Sequence, residues 1–153
     1  MLPGDRNDQL EGQMKWLWVG LLLTIAAPAR ADVLPSPEAA RELADNVMDA
    51  MSKGDTDHGF ALMKSYSAVA GINIEAVANK FKELVATQQR FGNSIGYEFL
   101  TNEATGSSLL RITELHRFER HGMGWIFIFY KGSSGWTLNY FSYTDKLQDI
   151  FRH

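Results

Sequence analysis

The sequence predicts an α+β fold: three N-terminal helices packed on one face of a curved, cone-like four-stranded antiparallel sheet. Three observations predict it. Apolar residues recur at helical spacing up to Gly92, the period changes to two after it, and the later runs are joined by turns too short for anything but hairpins.

The chain has 153 residues, enough for one domain, and is 45% hydrophobic and 22% charged. A net charge of −3 gives no basic surface to attract nucleic acid. The four His and the acids lack the tight spacing of a metal site, and nothing in the pattern implies a cofactor. With no Cys, disulfide and thiol chemistry are excluded.

Residues 1–31 read as an N-terminal extension plus signal peptide. Met14-Lys15 precedes an apolar run, Trp16 to Ala27, and then Pro28-Ala29-Arg30-Ala31, an A-x-A cleavage pattern. The run is shorter than the roughly 20 apolar residues of a membrane span. Met1 to Gln13 is polar, which makes Met14 the better initiator. Cleavage after Ala31 leaves residues 32–153 as one domain with no stable membrane span, expected to be periplasmic or secreted.

Helix 1 starts with Ser36 as N-cap and Pro37 at its first position. Ala39, Leu43, Val47 and Met51 form its apolar stripe, and Gly54 suits its C-terminal cap. Asp55-Thr56-Asp57 opens a second helix to about Tyr66, with Phe60 and Met63 inward. Asp55, Asp57 and His58 could hold a cation weakly, but helix capping explains the acids more simply. Asn73 caps a third helix whose inner face carries Val77, Phe81, Leu84, Val85 and Gln88, and Gly92 ends it. Strands are expected over about Ile95–Thr101, Ser108–Arg120, Trp125–Lys131 and Trp136–Thr144. The glycines of Gly122-Met123-Gly124 and Gly132 to Gly135 read as turn glycines, and the tail from Asp145 as a last helical turn.

Unbulged turns fix the pairing. Phe118 then faces Phe127, His116 faces Phe129 and Glu114 faces Lys131; Lys131 faces Trp136, Phe129 faces Leu138 and Phe127 faces Tyr140. This more apolar face should hold the helices, and Phe118, Phe127, Phe129, Trp136 and Leu138 are candidates to line an apolar ligand pocket. The opposite face carries Ile126, Ile128, Tyr130 and Phe141 among polar residues. That mixture suggests a sheet-to-sheet homodimer, or else a face partly covered by the tail.

The helix-first order, "AMSKGD" at Ala50 to Asp55 and "GWTLNYFSY" at Gly135 to Tyr143 together resemble the nuclear transport factor 2-like superfamily, which includes ketosteroid isomerase. With three helices before any strand, the order is similar to that of exported uncharacterised members. The resemblance implies a pocket between helices and sheet. Glu98, Glu114 and His116 are the polar exceptions on the expected helix-facing side. Glu114 and His116, two apart on a strand, point the same way and could move protons if desolvated. Tyr140 could donate to an oxyanion, as a tyrosine does in ketosteroid isomerase. The plainer reading pairs Glu114 with Lys131 at the rim and makes His116 a packing residue. The expected role is therefore an exported, non-catalytic domain binding a small apolar ligand or an envelope protein partner. The alternatives are an acid–base isomerase or cyclase using Glu114, His116 and Tyr140, and a scaffold subunit of an envelope assembly.

Overall fold

The computed structural model describes residues 31–67, 73–87 and 89–151; the signal-peptide reading and Gln88 lie outside them. Three helices, α1 (Pro37–Ser52), α2 (Thr56–Tyr66) and α3 (Ile74–Thr87), precede four strands: β1 (Ser94–Thr105), β2 (Leu109–Phe118), β3 (Gly122–Lys131) and β4 (Trp136–Thr144). The strands form one antiparallel meander in the order β1-β2-β3-β4. Short 3-10 segments occupy Gln89–Phe91 and Leu147–Phe151.

The caps decide where the helices begin. Ser36 Oγ accepts from the Ala39 amide, Asp55 Oδ1 from His58 and Asn73 Oδ1 from Ala76, so each helix opens with an otherwise orphaned N–H satisfied. α1 buries Leu43, Val47 and Met51 as its stripe requires, and Ala40, Ala44 and Met48 beside them. The small residues bring α1 close to the sheet. α2 and α3 add Met63, Phe60 and Phe81 to the core, and the two phenylalanines close on Trp125, Phe141 and Tyr143 in edge-to-face and tilted ring contacts. Two exposed ion pairs, Lys64–Glu75 and Lys82–Asp57, tie α2 to α3 and add little stability.

The register differs from the unbulged expectation in two places. First, the β2–β3 turn is centred on Glu119-Arg120, not on Gly122-Met123: Phe118 N–H donates to His121 O. Glu119 N–H and Arg120 N–H donate to the carbonyls of Asn93 and Phe91, so the preceding loop fixes the turn. Phe127 therefore faces Ile112, Glu114 faces Trp125 and His116 faces Met123. The displacement is an even number of residues, so each side chain keeps its expected face. Gly122 and Gly124 are strand residues, not turn glycines.

Second, β4 carries a bulge at Asn139, between the pairs Phe129–Leu138 and Ile128–Tyr140. Lys131–Trp136 and Phe129–Leu138 pair as expected, but beyond the bulge the alternation inverts. Phe141, expected outside, faces Phe127 and is buried; Tyr140, expected inside, faces Ile128 and is 47% exposed. β1 is bulged too, after Ser94 and after Phe99, and Glu98 pairs with Leu115 on the outer side instead of facing the helices. β1 also runs on to Thr105 through the segment expected to turn.

The outer edge of β4 is covered: Leu34 bridges Trp136 and Ser67 bridges Leu138. Gly135, at φ +145°, lets the leader approach; a Cβ there would lie 2.7 Å from Leu34 O. The tail covers part of the outer face. Ile150 sits over Gly124, where a Cβ would meet its Cδ1 at 2.5 Å, and Leu147 lies over Gly122 beside Leu115. Ile126 and Ile128 are half-buried and Tyr130 is exposed, so the far end of this face stays open.

This packing predicts the behaviour of Gly124→Ala. The added methyl should push Ile150 off the sheet and cost about 1–2 kcal/mol in chemical denaturation. In an Ile150→Ala background the same change should be neutral or stabilising, since glycine is a poor strand residue. Equal costs in both backgrounds would remove the tail from this face.

Candidate functional site

A surface cleft of about 390 Å³ lies where the end of α1, α3 and the starts of β1 and the end of β2 converge. Met51, Phe81, Val85 and Phe118 give it apolar walls, Lys82 and Asn93 lie at its polar edge, and Ser94 and His116 supply the remaining polar groups. Each arrives for a local reason. His116 and Phe118 are alternate residues of β2 on the helix side. Phe81 and Val85 are one turn apart on the inner stripe of α3. Ser94 opens β1, after Gly92 has turned the chain at φ +78°.

Ser52 O, Ser94 and His116 form a chain. Ser94 Oγ lies 2.8 Å from Ser52 O and 2.9 Å from His116 Nε2. A carbonyl can only accept, so the Ser94 hydroxyl donates to Ser52 and must accept from His116. That fixes the tautomer: Nε2 carries the proton and Nδ1, buried with no hydrogen-bond partner among the described residues, is a bare acceptor. Burial lowers the His116 pKa to about 4, so the ring is neutral at neutral pH.

A serine within hydrogen-bond reach of a histidine suggests a nucleophile and its base. The details oppose it. The hydroxyl proton already points at a backbone carbonyl, the facing nitrogen is protonated, and a ring with so low a pKa is a weak base. The arrangement positions a neutral polar group; it does not activate one.

Glu114 is on the same face but in other surroundings. Its side chain is fully buried beneath α1, and Arg41 Nε stands 3.5 Å from Oε1. Arg41 gives its better hydrogen bonds to Asp45, at 3.0 and 2.8 Å, and lays its guanidinium over the Phe99 ring at 3.4 Å. Burial pushes the Glu114 pKa up to about 7; Arg41 opposes the shift, while the nearby Asp45 adds to it. The Tyr97 phenol is also held high, first by burial and then by Asp45, Asp49 and Glu114.

The sequence-expected residues are thus dispersed. His116 and Phe118 line the cleft. Glu114 lies beneath α1 with Arg41, not with Lys131, and Tyr140 is on the other side of the sheet. Phe127, Phe129, Trp136 and Leu138 are packed into the core. Ser94, Met51 and Asn93 were missed: Ser94 meets Ser52 across 42 positions, and no local pattern signals that. Asp55 serves as a cap, and among the described residues no group of His, Cys, Asp or Glu is placed to hold a metal ion. Nor is any described helix long and apolar enough to cross a membrane.

No family model matches the sequence, and no curated protein matches it. Among solved structures, one from Campylobacter jejuni, described as a candidate NTF2-like transpeptidase, is similar at 18% identity and a TM-score of 0.43. The match covers 66% of this chain and 97% of that one. Three helices followed by a curved antiparallel sheet are the architecture expected from the nuclear transport factor 2-like resemblance.

The two buried titratable groups pull stability in opposite directions. Glu114 has a raised folded-state pKa, so the folded state holds a proton that the unfolded chain loses; stability falls as pH rises from 4.5 to about 7. His116 has a lowered one, so stability falls as pH drops from 6.5 to about 4. Between 4.5 and 6.5 the two slopes offset each other. Urea denaturation across this range should show wild type losing stability relative to Glu114→Gln as pH rises, and relative to His116→Gln as pH falls. Each difference should reach about 2–3 kcal/mol at most. Parallel curves for all three proteins would contradict both assignments.

Proposed function

We propose that this protein is an exported, non-catalytic binding domain whose cleft takes a small, mainly apolar ligand. The observation that carries the reading is the cleft's composition: apolar walls from Met51, Phe81, Val85 and Phe118 around a neutral Ser94–His116 pair whose protons are already committed. Its volume falls in the range of small-molecule sites, about 300–1,000 Å³. Apolar contact would supply the affinity. Asn93 and Lys82 at the edge would orient a polar end group. Export rests on the apolar run and A-x-A pattern before Asp32, and implies a periplasmic or secreted ligand.

The uncharged fluorescent probe N-phenyl-1-naphthylamine tests the cleft. Binding should be saturable. Ala86→Trp, on the exposed side of the lining, should fill the space and weaken it about tenfold or more without lowering stability. Unchanged affinity in that variant would place the probe elsewhere and remove the cleft as the site.

The open part of the outer sheet face, with Ile126, Ile128 and Tyr130, supports a second element of the reading, a homodimer. Phe141, being buried, takes no part in it. Light scattering of the mature chain should give twice the monomer mass, and Tyr130→Lys should return it to one; a monomeric wild type would end the dimer.

A further inference from the structure

We propose that Glu114, Asp45 and Arg41 form a proton-operated latch that sets the position of α1 and, through α1, the shape of the cleft. The proposal rests on the reading of the cleft as a binding site. One helix carries both ends of the device. Arg41 and Asp45 are one turn apart near the start of α1, while Met51 and the Ser52 carbonyl at its end form a cleft wall and anchor Ser94.

The latch has two arrangements. As the structure stands, Arg41 is chelated by Asp45, and among the described residues neither oxygen of Glu114 has a hydrogen-bond partner. An unpartnered, fully buried carboxyl suits the protonated form, which carries no charge to compensate. When the proton leaves, a fully buried carboxylate remains with Arg41 Nε 3.5 Å away, too far for a good charge-assisted hydrogen bond. Closing that gap draws the Arg41 guanidinium across the Phe99 ring, away from Asp45 and toward Glu114. Arg41 is rooted in α1, so that pull acts on the helix. Proton exchange has a route to water, because Asp45 is about one-third exposed.

The groups around Glu114 leave few competing explanations. α1 contributes Arg41 and Asp45, with Asp49 a turn further on beside Tyr97. β1 contributes the Phe99 ring opposite it and the Tyr97 phenol. β3 contributes only the Trp125 indole opposite it, and β2 the neutral His116 two residues on.

The expected result is that the affinity for N-phenyl-1-naphthylamine falls at least about fivefold between pH 6 and 8 in wild type. Glu114→Gln, a permanent mimic of the protonated acid, should hold the pH 6 affinity throughout. A flat wild-type profile, or a Glu114→Gln profile that still falls, overturns the latch. A second measurement does not depend on the cleft. In wild type, the Glu114 carboxyl carbon and the Arg41 Nε should titrate together by NMR. In Asp45→Asn, where Arg41 loses that second carboxylate, the midpoint should drop by about one pH unit or more. If the probe fails to bind at all, the cleft reading falls, and the NMR titration alone decides the latch: independent midpoints for the two nuclei, or no shift in Asp45→Asn, overturn it.

Discussion

The unbroken ladder between β2 and β3 is the constraint from which the rest of the molecule follows. It has no bulge, so alternation along both strands is strict. Ile112, Glu114, His116 and Phe118 must all face the helices, and so must Met123, Trp125, Phe127 and Phe129. Two polar residues are thereby carried inside with the apolar ones. Moving either one out would require a bulge that turned the large apolar residues beyond it toward water.

Each buried polar group is handled differently. His116 becomes neutral and uses its one N–H on Ser94, which in turn satisfies the end of α1. Glu114 favours its neutral form and borrows Arg41 and Asp45 from α1. In both cases α1 supplies the nearest polar group, and Leu43, Ala44, Val47 and Met48 pack the helix between those two points. The cleft and the buried acid thus meet the same helix, although they share no lining residue.

The two faces of the sheet also divide along physical lines. The inner face is closed by aromatic packing. The outer face is closed only where glycines leave room for the tail, at Gly122 and Gly124. Elsewhere it is a mixed surface, with Glu103 and Arg111 paired directly across β1 and β2 at 2.6 Å.

The sequence alone determined the helices, because caps and apolar stripes are local: Ser36, Asp55 and Asn73 begin them where their side chains reach the third amide on. It also determined the inward phase of β2 and β3, since an apolar alternation can face only one way. Tertiary structure decided the bulge at Asn139 and the turn at Glu119-Arg120. The turn is held by carbonyls of Phe91 and Asn93, and the phase change in β4 puts Phe141 against Phe60. Tyr140 and Phe141 are adjacent and both aromatic, so nothing in their spacing says which belongs inside. The choice was made by what stood opposite, and that is known only once the helices have docked.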